Sequence, residues 1–174
     1  MDKSLSKEPM LEMFIFENLQ LLEQLEQTIL AHEKERCLES AVINEIFRIM
    51  HTIKGSAAMM MYDSISSLAH AIEDLFFYIR EFHPDQMDYS KICDMVLDGI
   101  DFIKNEIGKL KQDQEADGDS SPFVENIGQY LMLIKEASRN NNLINEAVAR
   151  PAGHRKKFYI STSKSPPTEN IKRY

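Results

Sequence analysis

The sequence predicts an all-α protein: an antiparallel up-down four-helix bundle with an additional fifth helix and a C-terminal tail. Three observations predict it. Between Pro9 and Pro84 the only glycine or proline is Gly55, and so few breakers argue for helices over a many-turned β protein. Five segments repeat apolar residues at alternating spacings of three and four, the period of a helix with one buried face. The connections between the segments are short, which favours antiparallel neighbours.

The first segment runs from about Pro9 to Ala31, with Leu11, Ile15, Leu22, Leu25 and Ile29 in its stripe and Asn18 as a polar exception. Pro9 is tolerable in a first turn. The second runs from about Ser40 to Met60 with Ile43, Ile46, Met50, Ile53 and Ala57 inward. The third starts after Asp63, a good N-cap residue, and carries Ile65, Leu68, Ile72, Leu75 and Ile79 before Pro84. The fourth covers roughly Asp88 to Leu110, with Ile92, Val96, Gly99, Ile103 and Leu110 inward. The fifth opens at Ser121-Pro122, read as an N-cap followed by proline at the first helical position. Its stripe is Phe123, Ile127, Tyr130, Ile134 and Ala137.

Charge divides the 174 residues. Residues 150–174 hold seven bases and one acid, a net +6, while the rest carry 13 bases and 27 acids, a net −14. Such a shift marks a boundary. The expected organisation is a helical domain over 8–139, a linker over 140–155 containing Asn140-Asn141-Asn142 and Pro151-Ala152-Gly153, and a tail over 156–174. Gln112 to Ser121 reads as an acidic loop. No repeat of solenoid period is visible.

The acidic balance excludes a generally basic nucleic-acid binder. The longest apolar run, Ala57 to Tyr62, is six residues, too short to enter a bilayer as a span. Met1-Asp2-Lys3-Ser4 leads into no signal-like apolar core. Cys37 and Cys93 form no CxxC pair and suit a reducing compartment. A cytoplasmic location without membrane insertion is expected.

The second helix contains His51-Thr52-Ile53-Lys54-Gly55-Ser56-Ala57-Ala58. His51 is turned about 100° from Met50, so it lies beside the core stripe. Lys54 and Gly55 share its surface at i+3 and i+4, and Ala58 continues it. A mid-helix glycine costs roughly 1 kcal/mol relative to alanine. Flatness beside the imidazole, where another protein can approach, is a reason to accept that cost. The third helix carries His70 and Glu73. With Tyr62 as pivot, His51 is eleven residues before and Glu73 eleven after, while Lys54 and His70 are each eight away. Equal rise then puts His51 level with Glu73 and Lys54 level with His70, roughly 12–16 Å from the turn. A carboxylate accepting from Nδ1–H fixes the imidazole tautomer and leaves Nε2 nucleophilic. Lys54 would place positive charge near an incoming phosphoryl group. The expected product is a phosphohistidine that passes its phosphoryl to a carboxylate on a partner.

Phe47-Arg48-Ile49-Met50-His51-Thr52-Ile53-Lys54-Gly55-Ser56-Ala57, followed by Leu68-Ala69-His70-Ala71-Ile72-Glu73-Asp74-Leu75, resembles the histidine phosphotransfer (HPt) domain of the CheA family of chemotaxis histidine kinases over about residues 10–110. The resemblance implies an HPt-like bundle. It implies that His51 is phosphorylated by a separate kinase catalytic domain using ATP, and that it donates to an aspartate of response-regulator receiver domains. Lys54, His70 and Glu73 match its supporting residues, and Gly55 and Ala58 would underlie the docked partner. The family has more glycine after its Lys-Gly; here Ser56, Ala57, Ala58 and Met61 stand instead. No cofactor is implied for this chain, ATP and Mg belonging to the kinase domain and Mg to the receiver. The chain would be an N-terminal fragment of a full-length kinase. Lys157-Phe158-Tyr159-Ile160-Ser161 and Thr168-Glu169-Asn170-Ile171-Lys172-Arg173 are similar to the opening of the regulator-docking domain that follows HPt there; a disordered basic tail is the alternative.

Other chemistries fit less well. The Glu-x-x-His pattern of di-iron bundles is absent, since Ile29, Arg48, Ser67, Arg80 and Pro151 stand three before the histidines, and no His-x-x-x-His occurs. There is no Walker A run and no G-x-G-x-x-G, so the chain alone should not use ATP. Met59-Met60-Met61 reads as core filler near the turn, with an adaptable binding surface as the alternative. Phe77 reads as buried packing, with a place on the rim of the docking face as the alternative. The competing function is a non-catalytic adaptor or dimerisation bundle.

Overall fold

A computed structural model describes residues 7–32, 38–84 and 87–149. It contains five helices: α1 Lys7–His32, α2 Ser40–Met59, α3 Asp63–Phe82, α4 Tyr89–Leu110 and α5 Ser121–Ala149. The described residues include no strand. Helices α1 to α4 form a closed ring in which each packs on its chain neighbours and α1 meets α4. The α2–α3 pair is the most extensive, and α5 lies across α3 and α4. The fold is therefore the expected bundle with its added helix.

The stripes of α2, α3 and α4 are buried at every expected position. In α1, Leu11 is only half buried and Phe14 joins the core. Asn18 is buried because its polar atoms are used: Nδ2 donates to the Phe14 carbonyl at 2.6 Å, and Oδ1 accepts from Ser56 Oγ at 3.0 Å. That bond fastens α1 to α2. Lys104 of α4 reaches Glu26 of α1 at 2.7 Å. Tyr130 of α5 meets the start of α4, its hydroxyl oxygen accepting from Asp88 N–H at 2.9 Å.

Helix ends differ from the sequence expectation in three places. Asp63 is not an N-cap. Tyr62 holds that position with no side-chain capping bond, and Asp63 sits in the first turn of α3, where its charge favours the helix dipole. Ser121 is already the first helical residue, since the Ser120 carbonyl accepts from Val124 N–H at 3.1 Å. Asp119 takes the Ser121 N–H at 2.9 Å, and Pro122 is second. Helix α5 continues through Asn140-Asn141-Asn142 to Ala149, into the stretch read as linker. Asparagine is a middling helix former, and Pro151 is the first residue that cannot continue a helix. The strand and helix readings within 156–174 lie outside the described residues, as does Cys37.

The α2–α3 turn is made without glycine. Met61 N–H donates to the Ala58 carbonyl at 3.1 Å and Tyr62 N–H to the Ala57 carbonyl at 2.9 Å, the paired bonds of a Schellman closure. Met61 takes the left-handed position, with φ 62°. Core filling is therefore wrong for Met59 and Met61, which are 77% and 78% exposed; only Met60 packs partly inward. Phe77 is 46% exposed, not buried, while its neighbour Phe76 is fully enclosed.

Two substitutions check this packing by urea unfolding. Met61→Gly should stabilise by up to about 1 kcal/mol, because it relieves a left-handed methionine that makes no core contact. Gly99→Val should destabilise by about 1–3 kcal/mol, because even a Cβ there would lie 2.8 Å from Ile72 Cδ1 in the α3–α4 contact.

Candidate functional site

The hairpin places His51 and Glu73 as equal distances from Tyr62 require. His51 Nδ1 lies 2.8 Å from Glu73 Oε1. The imidazole is 62% exposed, whereas the Glu73 side chain is 9% exposed. A buried ionised carboxylate needs partners. Nδ1–H supplies one. Lys54 supplies the other, with Nζ 2.6 Å from Oε2. Burial alone would push the Glu73 carboxyl up, but the bonds and charges of Lys54 and His51 outweigh it and hold the group below its ordinary value. The carboxylate is thus kept ionised, and it fixes the proton on Nδ1. Whenever the ring is neutral, that leaves Nε2 as its unprotonated nitrogen.

His70 does not join this group. Three residues along a helix is 300°, so His70 is turned about 60° from Glu73. It lines a groove against α5 with Asp74, Val124 and Leu131. Its ion-pair partner is Asp74, at 3.6 Å, and both side chains are more than half exposed. Lys54 and His70 share a height along the hairpin, but Lys54 leans toward Glu73. Gly55 and Ala58 are both exposed on the His51 side of α2. A Cβ at Gly55 would meet nothing within 4 Å.

One further residue borders the imidazole, and a second lies over that residue. Phe47, one turn before His51, lies beside its ring with centroids 6.2 Å apart and planes 22° apart. Arg80 of α3 places its guanidinium carbon 4.2 Å from the Phe47 centroid. Phe47 stood in the quoted motif, and its i−4 spacing from His51 was the available signal. Arg80 had only its rough level with Phe47 across the hairpin. Among the described residues no three of His, Cys, Asp and Glu gather as a metal-ligand set.

A hairpin of this kind, with an exposed imidazole braced by a buried carboxylate, can be compared with known proteins. The sequence model of the Hpt domain matches residues 9–113. The chain belongs to the Hpt domain family. It is similar to the chemotaxis protein CheA of Treponema pallidum, 32% identical over 128 residues that cover 74% of this chain and 14% of that protein. It is also similar to CheA of Halobacterium salinarum, 31% identical over 121 residues, 70% of this chain and 18% of that protein. The chain thus matches only a small part of the length of these relatives. Among solved structures, the histidine phosphotransfer domain of CheA aligns with TM-score 0.61 and 28% identity over 69% of this chain and 90% of that one. The phosphorylated P1 domain of CheA3 in complex with CheY6 from R. sphaeroides aligns with TM-score 0.64 and 19% identity over 72% and 98%, a likeness of fold. No described helix of this Hpt chain is long and apolar enough to cross a membrane.

The electrostatics of Glu73 carry a pH prediction. Its folded carboxyl titrates below the ordinary value of 4.5, so near that pH the unfolded chain binds more protons and stability rises with pH. The contribution is present above 4.5 and is lost as pH falls through the depressed folded value. Urea unfolding at pH 7, 5 and 3 should show a steeper acid loss for the wild type than for Glu73→Gln. Parallel losses in the two proteins would mean that the carboxylate is not held ionised by its partners.

Proposed function

We propose that this chain is the phosphoacceptor module of a two-component phosphorelay, with His51 as the residue that carries the phosphoryl group. The observation that supports this reading best is the Nδ1–Glu73 contact: it directs Nε2 outward on an exposed ring while the base that orients it stays buried. Membership of the Hpt family and similarity to CheA proteins support the same reading. The donor is ATP held by a CheA-type kinase catalytic domain, and the acceptor is an aspartate of a response-regulator receiver domain. Mg and ATP belong to those partners, and the cytoplasm is where the three meet.

In the first step the Nε2 lone pair attacks the γ-phosphorus. The N–P bond forms as the P–O bond to ADP breaks, and ADP leaves with that electron pair. The ring gains positive charge while Nδ1 keeps its proton. Glu73 stabilises that charge across the 2.8 Å bond, as a carboxylate does behind any reacting imidazole. In the second step a carboxylate oxygen attacks phosphorus, the N–P bond breaks, and its electrons return to Nε2. Lys54 serves first by keeping Glu73 ionised. Its 27% exposure leaves it able to lend charge to the phosphoryl oxygens, where this transfer is governed by electrostatics. His70, paired with Asp74 and turned toward α5, is outside the reacting group. The adaptor alternative gives no reason for a carboxylate to be buried beneath an exposed histidine.

Phosphorylation by a CheA-type kinase domain with ATP, followed as acid-labile phosphate, tests the assignment. His51→Gln should incorporate none. Glu73→Ala should slow incorporation by about 10–100-fold, and Lys54→Ala should slow it less. His70→Ala should match the wild type. Phosphate on His51→Gln would place the acceptor elsewhere.

The docking face has its own test. Gly55→Arg should keep its helicity, since arginine is a good helix former and the site is open. Its bulk beside His51 should block both transfer steps. Unchanged transfer kinetics would move the docking face off α2.

A further inference from the structure

An imidazole that is 62% exposed has to keep one orientation for an in-line reaction. Its hydrogen bond to Glu73 anchors a single ring atom. With the ring tethered at Cβ, that bond limits rotation about Cβ–Cγ but leaves a softer concerted rocking of χ1 and χ2 that tips the ring plane. The Nε2 lone pair lies in the ring plane, so a tilt swings it away from an incoming phosphorus.

The structure supplies a second constraint on the ring face. Phe47 lies 6.2 Å from the imidazole centroid with only 22° between the planes, within the range of offset stacking. Phe47 is itself held. The Arg80 guanidinium carbon is 4.2 Å from its centroid and 5.5 Å from that of Phe77. The Phe77 ring is 6.4 Å from Phe47 at 40°. Arg80 Nε also donates to Glu81 Oε1 at 3.0 Å. A planar guanidinium can lie over a ring and bond a carboxylate together; a lysine ammonium offers no such plane. This set of contacts shares no residue with the Lys54–Glu73 pair except through His51.

We infer that Phe47 is a positioning residue for the plane of the His51 ring, and that Arg80 is a second positioning residue acting through Phe47. The inference rests on His51 being the phosphoacceptor. Neither residue exchanges a proton or an electron pair in the transfer. Glu73 limits rotation of the ring about Cβ–Cγ, and Phe47 limits the rocking of its plane that remains.

The test uses the whole chain with ¹⁵N-labelled histidine and the variants Phe47→Leu, Phe47→Tyr, Arg80→Gln and Arg80→Lys. The first readout is the ring-nitrogen spectrum of unphosphorylated His51, which needs no kinase. The second is the split of kcat and KM for phosphorylation by a CheA-type kinase domain with ATP. Phe47→Leu should broaden or average the His51 ring signals. It should lower kcat about tenfold, short of the ~100-fold that an ångström of misplacement costs, with KM within about twofold. Phe47→Tyr should keep wild-type values on both readouts. Arg80→Gln should move both in the same direction but by about threefold, the scale of an exposed cation–π contact, and Arg80→Lys should restore part of that. Should Phe47→Leu lose helicity, the Arg80 pair, at a partly exposed site, carries the test. Wild-type ring signals in Phe47→Leu, or a raised KM at constant kcat, would overturn the inference and make Phe47 a docking contact. A wild-type chain that takes no phosphate would remove the phosphoacceptor reading, and the ring spectra would still decide whether Phe47 sets the imidazole plane.

Discussion

The register of α2 against α3 is the constraint on which the His51 group depends. Met59 ends one helix and Asp63 begins the next, and the turn between them is closed by two backbone bonds with Met61 left-handed. Such a closure has no slack. One residue added to it would rotate Glu73 by about 100° around α3 and carry its carboxylate out from under the imidazole. The same register is enforced along the hairpin by fully buried Ile53, Ala57, Ile65, Leu68 and Ile72. Core packing and site geometry are one specification here: shifting the hairpin to move the carboxylate would also expose the stripe.

Glu73 shows how competing terms resolve. Burial opposes its charge and by itself would push the carboxyl up. Two donors on α2 reverse the outcome, and the group titrates below its usual value. Lys54 and His51 are one helical turn apart on the same flank, so a single carboxylate can meet both, one at each oxygen. Lys54 therefore offsets the cost of burying the carboxylate that orients the His51 ring. An arrangement with Glu73 exposed would need no lysine, but it would trade a fixed carboxylate for a mobile one.

Much of this was legible in the sequence because periodicity and spacing are geometric. The stripes of α2, α3 and α4 and the level of His51 with Glu73 follow from 3.6 residues per turn. What failed was local and tertiary. Asp63 and Ser121 are residue types that cap helices, but backbone bonds from the preceding turn decided where each helix began. Met59 and Met61 looked like core by composition; the stripe that ends at Ala57 and the left-handed turn put both outside. Height along the hairpin placed His70 beside Lys54, yet rotation about α3 sends it toward α5. Asn140-Asn141-Asn142 looked like the end of α5, and nothing in that run stops a helix. Arg80 has Phe77 three residues before it on α3, but its closer partner is the Phe47 ring on α2, a contact that leaves no spacing rule within one segment.

The glycines separate packing demands from functional ones. A side chain at Gly99 would press on Ile72, and one at Gly118 would collide with the Glu106 carboxylate, which accepts the Gly118 N–H at 2.9 Å. The interior explains both. Gly55 meets nothing, so the fold would accept alanine there and gain helix propensity. Openness alone does not single it out, since Gly108 and Gly128 are equally open. Its position does: it stands one turn beyond His51 on the flank that Ala58 continues. The bundle makes no demand for a glycine at that place, whereas the proposed function does: a docking partner could come flat against the helix beside the imidazole.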